Sequence, residues 1–151
     1  MRHESTTSAA EECRVVSAGA RDGSVLEGLW DSSSLVLDEV SGDRVRARAS
    51  LDERHHQPYG LVHGGVYATL VEQLASIGAC AAVRDQGMFA VGTHNATDFL
   101  RPVVTADLDL VAEPIFQGRT QQVWTVELRR ADDRKLVAKG QLRLQNLPLE
   151  A

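Results

Sequence analysis

The sequence predicts an α+β domain in which one antiparallel sheet wraps around a single long helix. Residues 66–83 indicate the helix, because they form a largely apolar run with few helix breakers directly after the pair Gly64-Gly65. Segments that alternate apolar and polar residues flank this run on both sides and indicate the sheet. One sheet curled around one apolar helix would bury all of these apolar faces together.

Length and composition fit a single soluble domain. A chain of 151 residues can bury a sizeable core, and 43% hydrophobic with 25% charged residues is ordinary for a globular protein. The net charge of −5 argues mildly against nucleic acid as a partner, since phosphate binding favours basic patches. The polar N-terminus does not resemble a signal peptide, and no continuous apolar run predicts a membrane span. We therefore expect a cytoplasmic protein with neither a nucleic-acid nor a membrane partner.

The chain before the sheet holds two predicted segments. Residues 1–22 are rich in Ser, Thr, Ala and charge, and their lack of periodicity predicts a flexible or weakly helical tail. Residues 23–31 place four apolar side chains at helical spacing, which is typical of a short helix that caps one end of the core. No repeat or linker divides the rest, so 23–151 should form one domain.

Six strands are predicted around the helix. The first two cover 34–40 and 44–51 and are joined by turn residues at 41–43. The second strand alternates apolar residues with arginines, as in a half-buried strand whose arginines face solvent. The other four cover 88–100, 106–112, 120–130 and 136–144.

The four strands after the helix should form a meander, because short turns make consecutive strands antiparallel neighbours. In the first of them, the small residues Ala90, Gly92 and Ala96 are expected to share a face with His94. That face would allow another element to pack very close.

Glu72, in the middle of the apolar helix, is the strongest functional signal. A buried carboxylate is costly unless it is paired or performs chemistry. The alternative is a solvated stripe of the helix, shared with Thr69 and Ser76 at i−3 and i+4. Gly64 and Gly65 would present backbone N–H groups at the positive end of the helix dipole, which suits an oxyanion hole. A simple tight turn is the alternative for the glycine pair.

The string G-L-V-H-G-G at 60–65, with Glu72 nine residues after the histidine, resembles the hot-dog-fold acyl-CoA thioesterases. F-L-R-P at 99–102 and G-R-T at 118–120 extend the likeness, which covers roughly residues 25–146. The chain is most similar to the branch that holds Arthrobacter-type 4-hydroxybenzoyl-CoA, phenylacetate-degradation and 1,4-dihydroxy-2-naphthoyl-CoA thioesterases.

This resemblance implies a hot-dog fold, with a homodimer that pairs into a homotetramer and active sites at subunit interfaces. It also implies hydrolysis of an acyl-CoA, preferably an aryl or other bulky acyl ester, to the free acid and CoA. No cofactor is implied, because coenzyme A is part of the substrate.

The resemblance assigns catalytic roles residue by residue. Glu72, acting from the opposite subunit, would be the nucleophile or the general base. The N–H of Gly64 and the amide of Gln57 would bind the thioester oxygen. Ser76 would orient the carboxylate or the water, although its hydroxyl could bond its own helix instead. His63 would support the loop and reach toward the carbonyl, with a purely structural role as the alternative.

A second set of residues would bind the remainder of the substrate: Gly65, Thr69, Asn95, Arg101, Arg119 and Thr120. The arginines are the candidates for the CoA phosphates, with a solvated surface as the alternative. Asn95, with its neighbour His94, is a candidate for lining the acyl pocket. The pair His55-His56 does not predict a metal site, because adjacent side chains rarely chelate one ion.

Functions from other classes stay open at this point. A hot-dog protein that binds or senses acyl-CoA without hydrolysing it is the main alternative, and a structural interaction module is another. A hydratase acting on acyl thioesters would need a different arrangement of acid and base histidines, which the sequence does not show.

Overall fold

The computed structural model describes residues 33–149, so the tail predicted at 1–22 and the helix predicted over 23–31 lie outside it. A long helix, α1, spans Gly64–Val83. The strands are β1 (Leu35–Val40), β2 (Val45–Leu51), β3 (Met88–Phe99), β4 (Ala106–Gln117), β5 (Gln121–Arg130) and β6 (Leu136–Pro148). The predicted helix and strands are therefore present, with β4 and β6 longer than expected.

The six strands form one antiparallel sheet in the order β1-β2-β4-β5-β6-β3. Helix α1 packs against the inner face of this sheet and touches all six strands. The alternation predicted for β2 is present, since Val45, Ala47 and Ala49 are buried while the arginines between them are exposed. The predicted α+β architecture of a sheet around one long helix is confirmed.

The apolar character of α1 reflects its position inside the sheet. Leu70, Val71, Leu74, Ala75 and Ala79 are completely buried. By length and mean hydropathy, 64–86 meets the requirement for a membrane-spanning helix, which the sequence was not expected to contain. More than half of this stretch is buried within the domain, as in the core helix of a globular protein.

The predicted four-strand meander is wrong at its first step. β3 pairs with β6 at the edge of the sheet, and only β4, β5 and β6 follow one another as neighbours. The reason is the segment after β3, where the N–H groups of Leu100 and Arg101 donate to Val137 O near the start of β6. The chain then continues through Pro102 to Val103, whose carbonyl accepts from the Val62 N–H. This segment crosses between strands and does not form a hairpin.

The face predicted for β3 is also wrong beyond Gly92. A β-bulge lies between Gly92 and His94, where the pairing with β6 shifts by one residue. A bulge inserts one extra residue and reverses the alternation that follows it. As a result Asn95 and Thr97, not His94 and Ala96, continue the face of Gly92 toward the helix, opposite Leu142 and Gly140.

Candidate active site

The start of α1 leaves one backbone donor open. His63 is the N-cap, and its Nδ1 accepts from the Gly65 N–H at 2.9 Å. The N–H of Gly64 has no acceptor within residues 33–149. It therefore stands at the positive end of a twenty-residue helix, available to an oxygen of a bound molecule. The contact with His63 engages the Gly65 N–H, while the predicted reach of His63 toward a substrate carbonyl stays a prediction.

The loop before α1 is closed by backbone hydrogen bonds. The His63 N–H donates to His55 O at 2.8 Å, and a bridge pairs His56 with Val62. On this loop, the Oε1 of Gln57 accepts from the Tyr59 N–H at 2.9 Å, which leaves the Gln57 NH₂ group as the free end of the amide. No hydrogen bond joins Gln57 to Gly64 in the described chain, so the part of Gln57 in an oxyanion hole stays a prediction.

An open cleft of about 240 Å³ lies beside Gly64. Its walls are Val62, Gly64, Tyr67, Phe99, Leu100, Arg101 and Pro102. The Phe99 ring packs directly on Gly64, where a Cβ would come within 2.8 Å of Cδ2, and it contacts the Tyr67 ring with centroids 5.8 Å apart. The cleft next to the open amide is therefore mainly apolar, with Arg101 as its charged wall residue.

Tyr67 carries a buried hydroxyl. The residue is 2% exposed, and its Oη has no hydrogen-bond partner within the described residues. Burial raises the pKa of Tyr67 to about 12. A hydroxyl left without a partner in the folded protein costs roughly 1–3 kcal/mol.

Glu72 is a half-buried residue of α1, and its carboxylate contacts β3. Its Oε2 accepts from the Asn95 Nδ2 at 3.3 Å. Its other oxygen rests against Gly92, and a Cβ at that position would stand 3.0 Å from the Glu72 Cδ. One hydrogen bond from the Asn95 amide therefore holds the carboxylate, and the missing side chain at Gly92 leaves room for its other oxygen.

Glu72 and Gly64 are separated along the same helix. Eight residues at ~1.5 Å each place them roughly 12 Å apart along the axis. Within one protomer, the Glu72 carboxylate and the Gly64 N–H therefore cannot both contact one carbonyl group.

The hydroxyls near Glu72 differ in their contacts. Thr69 Oγ1 donates to Gly65 O at 2.8 Å, so it is engaged with its own helix. Ser76 is half-buried, and its hydroxyl has no hydrogen bond within residues 33–149. An orienting role for Ser76 stays a prediction.

The candidate phosphate ligands lie at opposite ends of α1. Arg101 donates to Leu136 O at 3.3 Å, at the end where α1 begins. Arg119 and Thr120 lie in the turn between β4 and β5, whose carbonyls accept from Asn146. That turn is near the last part of the helix, since the neighbouring Gln122 donates to Ala79 O at 3.0 Å. One protomer does not bring these arginines together.

Thr97 and the contact of Gly92 with Glu72 were not predicted from the sequence. Thr97 Oγ1 donates to Asn95 Oδ1 at 2.6 Å, and so it belongs to the contacts around Glu72. Gly92 was expected to permit close packing, but its partner was not foreseen. The spacing of Gly92, Asn95 and Thr97 fits one face only when a bulge is included. The glycine at 92, inside a strand pattern, is the sequence signal that could have indicated the bulge.

The sequence matches a family described as the thioesterase superfamily over residues 59–137, slightly more than half of the chain. The matched region runs from the loop before Gly64 to the beginning of β6. The chain belongs to the thioesterase superfamily.

Individual relatives agree with this assignment. The protein Rv1847 of Mycobacterium tuberculosis, provisionally named an esterase, is 40% identical over 115 residues, which are 75% of this chain and 81% of the relative. The proofreading thioesterase EntH of Cronobacter sakazakii is 35% identical over 92 residues, 61% of this chain and 66% of that protein.

Solved structures show the same fold. The structure of Rv1847 superposes with a TM-score of 0.77 at 37% identity, covering 80% of this chain and 97% of that one. The thioesterase HI1161 of Haemophilus influenzae superposes with a TM-score of 0.73 at 29% identity, covering 80% and 83%. The expected hot-dog fold is confirmed, and the family supports hydrolysis of a thioester as the reaction. The particular branch expected from the sequence is not distinguished by these relatives.

Proposed function

We propose that this thioesterase superfamily member hydrolyses acyl-CoA thioesters to the free acid and CoA, with Glu72 as nucleophile or general base. The observation that carries the proposal is the open Gly64 N–H at the start of a long helix, beside an apolar cleft. A thioester carbonyl can place its oxygen on this donor while its acyl group lies on the Phe99 side of the cleft.

The two routes for Glu72 use the same carboxylate differently. As nucleophile, an oxygen attacks the carbonyl carbon, the C–S bond breaks with departure of CoA thiolate, and water cleaves the resulting anhydride. As general base, the carboxylate takes a proton from water while the water oxygen attacks the carbonyl carbon; the C–S bond then breaks, and CoA leaves as the thiol with that proton. In both routes the negative charge that develops on the carbonyl oxygen is stabilised by Gly64 N–H.

The separation of Glu72 from Gly64 supports a site shared by two subunits. In a homodimer, Glu72 of one protomer would face Gly64 of its partner. The two groups could then contact one carbonyl, although within one helix they are roughly 12 Å apart. The edge strand β3 suits such pairing, because it is twelve residues long and exposed over most of its length. Pairing would satisfy its unpaired backbone groups. Further association into a homotetramer is part of this proposal.

The cleft supports an aryl or other bulky acyl group as the preferred substrate. Phe99 provides exposed aromatic surface next to the donor, with the buried Tyr67 ring packed against it, and aromatic rings pack favourably on one another. A preference for hydroxybenzoyl, phenylacetyl or naphthoyl esters is the finer form of this proposal.

A screen of CoA esters tests the proposal. The purified protein is given benzoyl-, naphthoyl-, phenylacetyl- and fatty-acyl-CoA, and the released thiol is measured, with Glu72→Ala as control. Release by the wild type and loss in the variant is the expected result, with the aryl esters fastest. Tight binding of these esters without release from any of them would contradict hydrolysis and favour a binding protein.

A further inference from the structure

We propose that Asn95, locked by Thr97, is a positioning residue that fixes the Glu72 carboxylate in its reactive orientation. The inference rests on the proposed function, because it concerns the same carboxylate. It assigns Asn95 to Glu72 and not to the acyl pocket, and it adds Thr97, which touches no part of the proposed substrate site.

Three hydrogen bonds define the device. Thr97 Oγ1 donates to Asn95 Oδ1 at 2.6 Å. On the other end of the amide, Asn95 Nδ2 donates to Ala68 O at 3.0 Å and to Glu72 Oε2 at 3.3 Å. Both of these acceptors lie on α1, one helical turn apart, so a single NH₂ group ties the carboxylate to the helix backbone beneath it.

The chemistry of the partners fixes which way the amide points. A backbone carbonyl and an ionised carboxylate can only accept hydrogen bonds, so the group that faces Ala68 and Glu72 must be the NH₂. The oxygen of Asn95 then faces Thr97, whose hydroxyl supplies the hydrogen. Without that hydroxyl the Asn95 amide would lose the contact that holds its plane, while keeping its donors.

The backbone of β3 makes this arrangement possible. The bulge between Gly92 and His94 turns both Asn95 and Thr97 toward the helix. Space for Thr97 comes from Gly140 on β6, where a Cβ would stand 2.8 Å from the Thr97 Oγ1.

The result is a carboxylate with two unlike oxygens. One oxygen of Glu72 is occupied by Asn95, and the other lies against Gly92 without a hydrogen bond from the described residues. The second oxygen is therefore the one available to attack a carbonyl carbon or to accept a proton from water. Because a misplacement of about 1 Å can cost ~10²-fold in rate, a fixed carboxylate plane contributes directly to turnover.

Thr97→Val removes only the hydroxyl and keeps the size and shape of the side chain. We expect kcat to fall about 10-fold while KM changes less than about 2-fold, since the substrate contacts are unchanged. Thr97→Ser should restore kcat to within about 2-fold of the wild type, because serine keeps the donor. Asn95→Ala should be slower than Thr97→Val, because it also removes the bond to Glu72.

Thr93→Val is the matched control. Thr93 lies on the same strand, but its Oγ1 donates to Arg143 O at 3.1 Å and has no contact with Glu72 or Asn95. Its kcat should equal that of the wild type. Equal losses of kcat in Thr93→Val and Thr97→Val would mean that hydroxyls on this strand act through folding alone, which would overturn the proposal. An unchanged kcat in Thr97→Val would overturn it as well.

A second measurement separates this inference from the proposed function. The side-chain NH₂ resonances of Asn95 can be followed by NMR without any substrate. They should move in Glu72→Gln and in Thr97→Val, and stay in place in Thr93→Val. A wild type without thioesterase activity would refute the proposed function. Asn95 resonances that shift in neither Thr97→Val nor Glu72→Gln would refute the positioning role of Asn95, whatever the activity.

Discussion

Replacement of Gly92 by alanine should lower the rate of thioester hydrolysis and leave the free energy of unfolding nearly unchanged. The new Cβ would overlap one oxygen of Glu72, and it would stand 3.0 Å from Cδ and 3.3 Å from Oε2. Carbon and oxygen atoms pack comfortably at roughly 3.5 Å or more, so the overlapping carboxylate oxygen would have to withdraw by more than about 1 Å. A displacement of that size costs ~10²-fold in rate, or about 2.7 kcal/mol of transition-state stabilisation.

The fold should tolerate the same change. Alanine gains roughly 0.5–1 kcal/mol over glycine in a strand, while a strained Glu72 rotamer costs about 0.5–1.5 kcal/mol. The free energy of unfolding should therefore stay within about 1 kcal/mol of the wild type. Denaturant unfolding measures this quantity, and steady-state thiol release from an acyl-CoA measures the rate.

The control for Gly92→Ala is the same substitution in a Glu72→Ala background. With the carboxylate absent, the methyl group at 92 meets no oxygen, and the residual rate should not fall further. Full kcat in Gly92→Ala alone would mean that Glu72 does not act from its position beside Gly92.

Three further predictions concern the amide donor, the subunit boundary and the buried tyrosine. Gly64→Pro should turn over about 10²-fold more slowly than Gly64→Ala in thiol-release assays. Both substitutions add a Cβ against Phe99, but only proline removes the N–H. Equal rates would refute the oxyanion role of Gly64. Inactive Glu72→Gln and Gly64→Pro subunits, when unfolded and refolded together, should recover about a quarter of wild-type turnover. About half of the dimers are then hybrids, and each hybrid has one intact site of two. No recovery would exclude a shared site. Because the pKa of Tyr67 is raised in the folded state, the wild type should lose up to about 3 kcal/mol of unfolding free energy between pH 10 and about 12. Tyr67→Phe should not show this loss. An equal loss in both proteins would contradict the role of the Tyr67 hydroxyl.

The helix and the strands were predictable because their periodicities differ. The apolar run at 66–83 and the alternation in 44–51 need no knowledge of the rest of the chain, and both are confirmed. The position of β3 depended on the segment 100–105, where hydrogen bonds to Val137 and Val62 carry the chain across the sheet. A short connection with a proline gives no local sign of such a crossing.

The site was predictable in its parts but not in its contacts. Gly64 and Glu72 stand out from the sequence, because a helix start and a carboxylate in an apolar helix are local features. The contact of Glu72 with Asn95 depends on the bulge after Gly92, which reverses the alternation and replaces His94 on the inner face. A bulge is one extra residue in a pairing that only the folded sheet defines.

The candidate phosphate ligands illustrate a similar gap. Arg101 and Arg119 were grouped by their charge and their likeness to family positions, but they lie toward opposite ends of α1 in one protomer. Sequence position does not reveal which end of a helix a turn will reach.

The measurement that bears most directly on the proposed reaction is the comparison of wild type and Glu72→Gln on one acyl-CoA, with kcat and binding determined separately. Glutamine keeps the size of the side chain but can serve neither as a nucleophile nor as a base. We expect kcat to fall by ~10³-fold or more, while the affinity for the CoA ester, measured by calorimetry, changes little. A Glu72→Gln variant with wild-type kcat would contradict the role of Glu72 as nucleophile or base.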